Sequence, residues 1–193
     1  MMEIIALLGA YLLGSIPTGL LLAKAAGVDI RSSGSGNIGA TNVYRTLGRS
    51  HGIMTLLGDC LKGLLPVLAA RYFDLPDLWV AAIGAAAFLG HVYTVFLNFK
   101  GGKGVATALG VFLAASPLAV LAALAIFSFI LWKWRYVSLA SISAAAAMPI
   151  AVALLDGKPL IVLMSVLIAT LVIWKHKDNI NRLRNGTENK FKA

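Results

Sequence analysis

Long apolar runs alternate along this chain with short polar stretches. Residues 2–23 form the first run, long enough for one helical crossing of a bilayer and loosened by Gly14 and Pro17. Runs at 51–73, 78–99, 136–155 and 159–174 predict further spanning helices. Asp59 and Lys62 interrupt the second run, but three residues apart they share a helical face and can pair. The stretch 105–132 is apolar except at Ser116-Pro117. It reads either as one kinked span or as two short ones, 104–116 and 117–132, turning at the proline.

The placement of basic residues decides between these readings. With seven spans, one side of the membrane holds Lys24, Arg31, Arg45, Arg49, Lys100, Lys103, Lys133, Arg135 and the six basic residues of the tail, while the other holds only Arg71 and Lys158. With six spans the division is seven against nine, which is no bias. Lys and Arg accumulate in cytoplasmic loops, so seven spans are preferred. The expected fold is an all-α integral membrane protein, one polytopic domain over residues 1–193. It has about seven transmembrane helices, an outside N-terminus and a cytoplasmic C-terminus. Two crossings within 28 residues must be short, against roughly 20 residues for an ordinary span, which puts residues 100–104 at or below headgroup depth. Trp132, Trp134, Tyr136 and Trp174 gather at the inferred cytoplasmic boundary as an aromatic belt does. The same parity brings the polar stretches 31–49, 100–107 and 176–188 to the cytoplasmic face.

Composition strengthens the membrane assignment. The chain is 59% hydrophobic and 13% charged, with mean hydropathy +0.84, which excludes an ordinary soluble domain. The net charge of +9 would suit nucleic acid, but its placement follows membrane topology, so no nucleic-acid partner is expected. Cys60 lies in an apolar run and is expected to be a small core residue. The N-terminus lacks a basic n-region and a small-residue cleavage site, so the first run is expected to be retained.

Lipid cannot accept the stretch RSSGSGNIGATNVYRTLGR (31–49), which must lie at a membrane face or line a polar cavity. Its GSGNIG matches G-x-G-x-x-G, but no strand precedes it and no βαβ unit follows, so the dinucleotide reading fails. The local physics still suits phosphate. Gly36 and Gly39 let backbone N–H groups turn toward an anion, and residues 41–47 form a short helix ended by Gly48. Ser35, Asn37, Thr41 and Asn42 add side-chain donors, and Arg45 adds a planar fork. The plain alternative is a flexible interhelical loop. KGGKG (100–104) lacks Walker spacing, yet Lys100, Gly101, Gly102, Lys103 and Gly104 at a helix start make an anion nest. A membrane anchor explains the lysines there but not the glycines.

Other polar residues divide between structure and chemistry. His91, alone on an apolar helix, reads as a hydrogen-bonded structural residue. His176 lies just past the last span beside Lys175, Lys177 and Asn179, where base and ligand roles stay open. Ser143 suits helix packing, whereas Ser138 or Ser141 can reach a substrate. Glu188, in a basic tail, pairs with a neighbouring cation and fixes the tail. The eight acids are scattered, so no metal site is expected, and no G-x-S-x-G elbow is present. A covalent acyl-enzyme is therefore not expected.

Three stretches together resemble the bacterial acyl-phosphate:glycerol-3-phosphate acyltransferase family of the PlsY type. They are GSGNIGATNVYR (34–45), FKGGKGVAT (99–107) and the run 176–188 with His176, Asn179 and Glu188. Length, span pattern and motif order agree as well. The resemblance implies a multi-pass enzyme of the bacterial inner membrane with its site on the cytoplasmic side. It moves a fatty acyl group from acyl phosphate to the 1-hydroxyl of glycerol 3-phosphate, giving lysophosphatidic acid and phosphate, with no cofactor. It implies important roles for Ser35, Arg45, the glycine-rich loop, His176 and Asn179, and a structural one for Glu188. Partners are then acyl phosphate, glycerol 3-phosphate and membrane lipid.

The residue types fit such a reaction. Two phosphates carry up to about four negative charges at neutral pH, which Arg45, Lys100 and Lys103 offset. Acyl phosphate has a good leaving group, so positioning and charge stabilisation suffice, with Lys103 at the oxyanion or departing phosphate. A transporter of glycerol phosphate or phosphate is the competing reading. It predicts inverted repeats and polar midplane residues, and no repeat is visible.

Overall fold

The computed structural model describes residues 1–191, and Lys192 of the basic tail lies outside them. Among the described residues the chain folds into ten α-helices and one 3₁₀ turn, in two compact units divided at the Ala115–Ser116 junction. Within the first unit the helices are α1 (Met2–Ser15), α2 (Thr18–Ala25), α3 (Ala40–Leu47), α4 (Arg49–Tyr72), α5 (Asp77–Val92) and α6 (Val105–Ala115). The second holds α7 (Pro117–Trp134), α8 (Val137–Leu155), α9 (Pro159–Lys175) and α10 (Lys177–Arg184).

The apolar runs become helices because backbone polar groups must be satisfied internally where water is absent. Small residues then set how closely the helices approach. A Cβ on Gly14 would overlap the Ala87 carbonyl of α5, and one on Gly90 would overlap the Tyr11 carbonyl of α1. Gly63 and Gly110 do the same for α4 and α6, facing the carbonyls of Thr107 and Cys60. In the second unit α8 packs against both α7 and α9.

Two expected spans differ in detail. The run at 2–23 breaks at Ile16-Pro17, since proline lacks the amide to continue α1. The Ile16 carbonyl, freed from the helix at this break, accepts a hydrogen bond from Lys62 Nζ at 2.7 Å. The run at 78–99 stops being α-helical at Val92. It turns through Val95–Leu97 while the buried Thr94 hydroxyl donates to the Ser15 carbonyl at 2.6 Å. Asn98 and Phe99 then adopt left-handed backbone, φ 49° and 60°, which no continuing helix allows.

Among the described residues five stretches are long and apolar enough to cross a membrane, and the α9–α10 pair, bent by 54°, would make a sixth. The break within 105–132 falls at Ser116, as the Ser-Pro reading expects. α6 has 11 residues, which rise about 16 Å, roughly half the hydrocarbon thickness. The chain is an integral membrane protein by these helices. In the second unit the C-terminal ends of α7 and α9 carry the tryptophans of the expected aromatic belt. Trp132 and Trp174 are exposed, and Lys133 Nζ lies 4.6 Å from the Trp134 ring centroid.

Candidate active site

The loop between α2 and α3 is pinned rather than flexible. Ile30, Ile38 and Val43 are buried in one cluster with Ala23, so its scattered apolar residues act as anchors. Asn42, 2% exposed, is its polar hub. Its Nδ2 donates to the carbonyls of Ile30, Ser33 and Asn37 at 3.3, 3.0 and 2.8 Å, and its Oδ1 accepts the Ser35 amide at 2.8 Å. The Gly36 amide donates to the Ser33 carbonyl and the Gly39 amide to Asn37 Oδ1. Gly36 has φ +67°, a backbone that disfavours any side chain.

This corrects the expected role of the loop amides. The N–H groups of Ser35, Gly36 and Gly39, expected to face an anion, are used within the loop, and so is the Asn42 amide. A six-residue stretch as rich in glycine as 34–39 holds one shape only if its polar groups find partners. What the frame presents outward are side chains: exposed Ser35 and Arg45, and half-buried Asn37 and Thr41. Gly48, φ +87°, ends α3 as expected, and α3 starts one residue early, at Ala40.

A similar correction applies to KGGKG. The Gly101 amide donates to the Val92 carbonyl and the Gly102 amide to the His91 carbonyl, both at 3.1 Å. These bonds satisfy carbonyls at the C-terminal end of α5. A Cβ at Gly101 would overlap the His91 carbonyl, and one at Gly102 the His91 ring, so the glycines serve close docking. The first turn of α6 follows, and helix geometry gives the amides there no partner within the helix. Lys103 lies just before it, half-buried, and Lys100 is exposed. Arg31 joins the motifs: its guanidinium donates to the Lys100 carbonyl at 2.8 Å across 69 residues. The sequence marks Arg31 only as a third arginine in the loop, without a role.

In the second unit α9 ends at His176, and α10 carries Asn179 on its buried face. His176 Nδ1 lies 2.7 Å from the Val172 carbonyl. A carbonyl only accepts, so Nδ1 carries the proton and Nε2 is the basic nitrogen of the neutral ring. Glu188 collects three donors at 2.7 Å: Ser138 Oγ and Asn179 Nδ2 on one oxygen, Arg182 Nε on the other. The expected cation partner is thus Arg182, and Ser138 serves the carboxylate. The Ser141 hydroxyl donates to the Val137 carbonyl within α8 at 2.8 Å.

Burial pushes the Glu188 carboxyl up, but its three hydrogen bonds and the Arg182 charge outweigh this and hold it below the ordinary 4.5. The folded protein therefore binds that proton less readily than the unfolded chain. The stabilisation is full above about pH 4.5 and is lost as pH falls through the depressed folded value. We expect the unfolding temperature of the solubilised protein to fall below pH 4.5, and to fall less steeply in Glu188→Gln. Parallel curves for the two proteins would rule out this linkage.

The described residues include no group of three or more His, Cys, Asp and Glu side chains placed to hold a metal ion. The loops of the first unit offer cations and hydroxyls, a set that suits anion binding, and the second unit separately offers an imidazole.

Comparison with known proteins supports that reading. Residues 4–186 match the glycerol-3-phosphate acyltransferase family. The chain is 75% identical to the glycerol-3-phosphate acyltransferase of Geotalea daltonii over 98% of both chains. It is 72% identical to that of Geobacter metallireducens over the full length of both. It is also similar to the crystal structure of PlsY, an integral membrane glycerol 3-phosphate acyltransferase, in its glycerol 3-phosphate form. The TM-score is 0.96 at 43% identity, covering 100% of this chain and 96% of that one. The lysophosphatidic acid form gives a TM-score of 0.91. These relations favour a transferase over a transporter, and the chain belongs to the glycerol-3-phosphate acyltransferase family.

Proposed function

We propose that this enzyme transfers a fatty acyl group from acyl phosphate to the 1-hydroxyl of glycerol 3-phosphate, releasing lysophosphatidic acid and inorganic phosphate. The observation that carries the reading is the Arg31–Lys100 junction, which ties the first loop to the loop bearing Lys103 and the N-terminus of α6. Two anionic substrates need cations and helix dipoles on more than one side.

The glycerol hydroxyl oxygen bonds to the acyl carbon, the acyl carbon–phosphate oxygen bond breaks, and phosphate leaves. A phosphate oxygen of a substrate takes the hydroxyl proton, because it is carried to the reacting centre by the substrate itself. His176 Nε2 is the protein group able to replace it. Arg45 and Ser35 hold a phosphate, and Asn37 and Thr41 complete that contact. Lys103 with Lys100 and the α6 terminus stabilises the oxyanion or the departing phosphate. Gly36, Gly39, Asn42, Gly101, Gly102 and Gly104 shape the two loops. Asn179 serves the same reaction through α10, with Glu188 as its structural support, and Ser141 lies near the substrate. The acyl chain lies in a groove between spans, and the product leaves sideways into the inner leaflet.

Purified enzyme in detergent is expected to release phosphate only when acyl phosphate and glycerol 3-phosphate are both supplied. Turnover with acyl-CoA and none with acyl phosphate would refute the donor.

The charge distribution supports seven spans in the bacterial inner membrane, N-terminus outside, with α6 and α7 as short separate crossings and a cytoplasmic site. Single cysteines at 35, 103 and 176, in a Cys60→Ala background, are expected to react with impermeant thiol reagents only from the cytoplasmic side. Labelling of any of them from outside contradicts this topology.

A further inference from the structure

Inside the first unit lies an ionisable cluster that the reaction above does not use. Asp59 and Lys62 on α4 and His91 on α5 are 2%, 4% and 4% exposed. Asp59 Oδ1 lies 2.8 Å from Lys62 Nζ and 3.7 Å from His91 Nδ1. Three buried ionisable groups are costly in an apolar bundle unless their placement serves a purpose. The far edge of the imidazole, Nε2, faces Gly102 so closely that the glycine cannot carry a Cβ. The His91 and Val92 carbonyls meanwhile take the amides of Gly102 and Gly101. One turn earlier on α5, Phe88 packs under Gly104. The face of α5 bearing Phe88, His91 and Val92 is therefore the seat of the 100–104 loop, and the His91 ring is its polar element.

We propose that Asp59 and His91 are positioning residues for acyl transfer. The carboxylate orients the imidazole, and the imidazole sets the height of Gly102, hence the placement of Lys103 and the first turn of α6. Lys62 anchors the carboxylate and, through the Ile16 carbonyl, ties the same cluster to the α1–α2 break that leads into the first loop. A shift near 1 Å in a charge-stabilising group can cost about 10²-fold in rate. The inference rests on reading the 100–104 loop as a phosphate site.

Inorganic phosphate, the product, is the probe. His91→Ala is expected to raise its inhibition constant about tenfold, and Asp59→Asn to move it the same way. A merely structural role lowers the fraction of active enzyme and leaves that constant unchanged. His91→Gln, which keeps a polar side chain of similar reach, is expected to restore phosphate inhibition toward normal and serves where His91→Ala fails to fold. A coupling test is independent of these. Gly102→Ala is expected to cost at least about tenfold less in the His91→Ala background than alone, because the ring it strikes is gone. An unchanged inhibition constant, or strictly additive costs, overturns the proposal. Lys103→Met run alongside separates the two ideas. If it weakens phosphate inhibition and the His91 variants do not, only the positioning role falls. If none of them weakens it, the phosphate reading of the loop falls too.

Discussion

Lys103→Met is expected to lower kcat/KM by at least about 10²-fold while leaving the protein folded. Methionine keeps an unbranched apolar stem close to the length of lysine's and removes the ammonium. Lys103 is half-buried immediately before α6, where lipid and helix backbone lower the dielectric and leave little water to replace the ammonium. A preorganised charge facing the developing negative charge typically contributes about 10²- to 10³-fold. Arg45→Lys is the companion case, since a lysine keeps the charge but loses the planar fork suited to two phosphate oxygens. Steady-state kinetics with both substrates varied would check it. A rate near normal for Lys103→Met would remove that residue from the reaction.

Asn42→Asp is expected to be as damaging, although Asn42 touches only the loop. The two side chains have the same shape, but the carboxylate replaces an NH₂ group by a second oxygen. That oxygen would face the carbonyls of Ile30, Ser33 and Asn37, none of which can donate. Leaving a buried acceptor without its donor costs about 1–3 kcal/mol. The two N–H donors lost come to about 2–6 kcal/mol against the native loop, or roughly 30-fold or more in its population. Because α4 also packs against α1, α5 and α6, the spans remain folded. The expected signature is a collapse of activity with an unchanged helical circular-dichroism spectrum, together with faster proteolysis between residues 31 and 39. Full activity in Asn42→Asp would show that the loop frame has no part in turnover.

Both predictions concern features that differ in how far the sequence reveals them. Apolar run length was enough to place most helices, because a bilayer imposes one element type and one length, and the Ser116-Pro117 pair marked the break within 105–132. The three-residue spacing was enough to pair Asp59 with Lys62, and a single glycine to end α3 at Gly48. These are local rules, read within one or two helical turns.

The roles of individual amides were not legible in the same way. GSGNIG and KGGKG suggested N–H groups turned toward an anion, yet those of Gly36, Gly39, Gly101 and Gly102 bond inside the protein. Composition says that a glycine permits close approach; only folding says what approaches. Asn42 became a hub because Ile30 and Ile38 bury and draw the loop around it. Arg31 met the Lys100 carbonyl, and Ser138 met Glu188, across 69 and 50 residues. No periodicity links such pairs.

By itself, then, the sequence determined a helical membrane protein with its basic, glycine-bearing segments set apart from lipid, since hydrophobic run length and charge asymmetry act along the chain. Tertiary structure alone decided which carbonyl each glycine docks on, which donors neutralise Glu188 and what holds His91 against Gly102. Those choices depend on contacts between distant segments, where burial demands a partner for every polar atom and the chain's path determines which one is within reach.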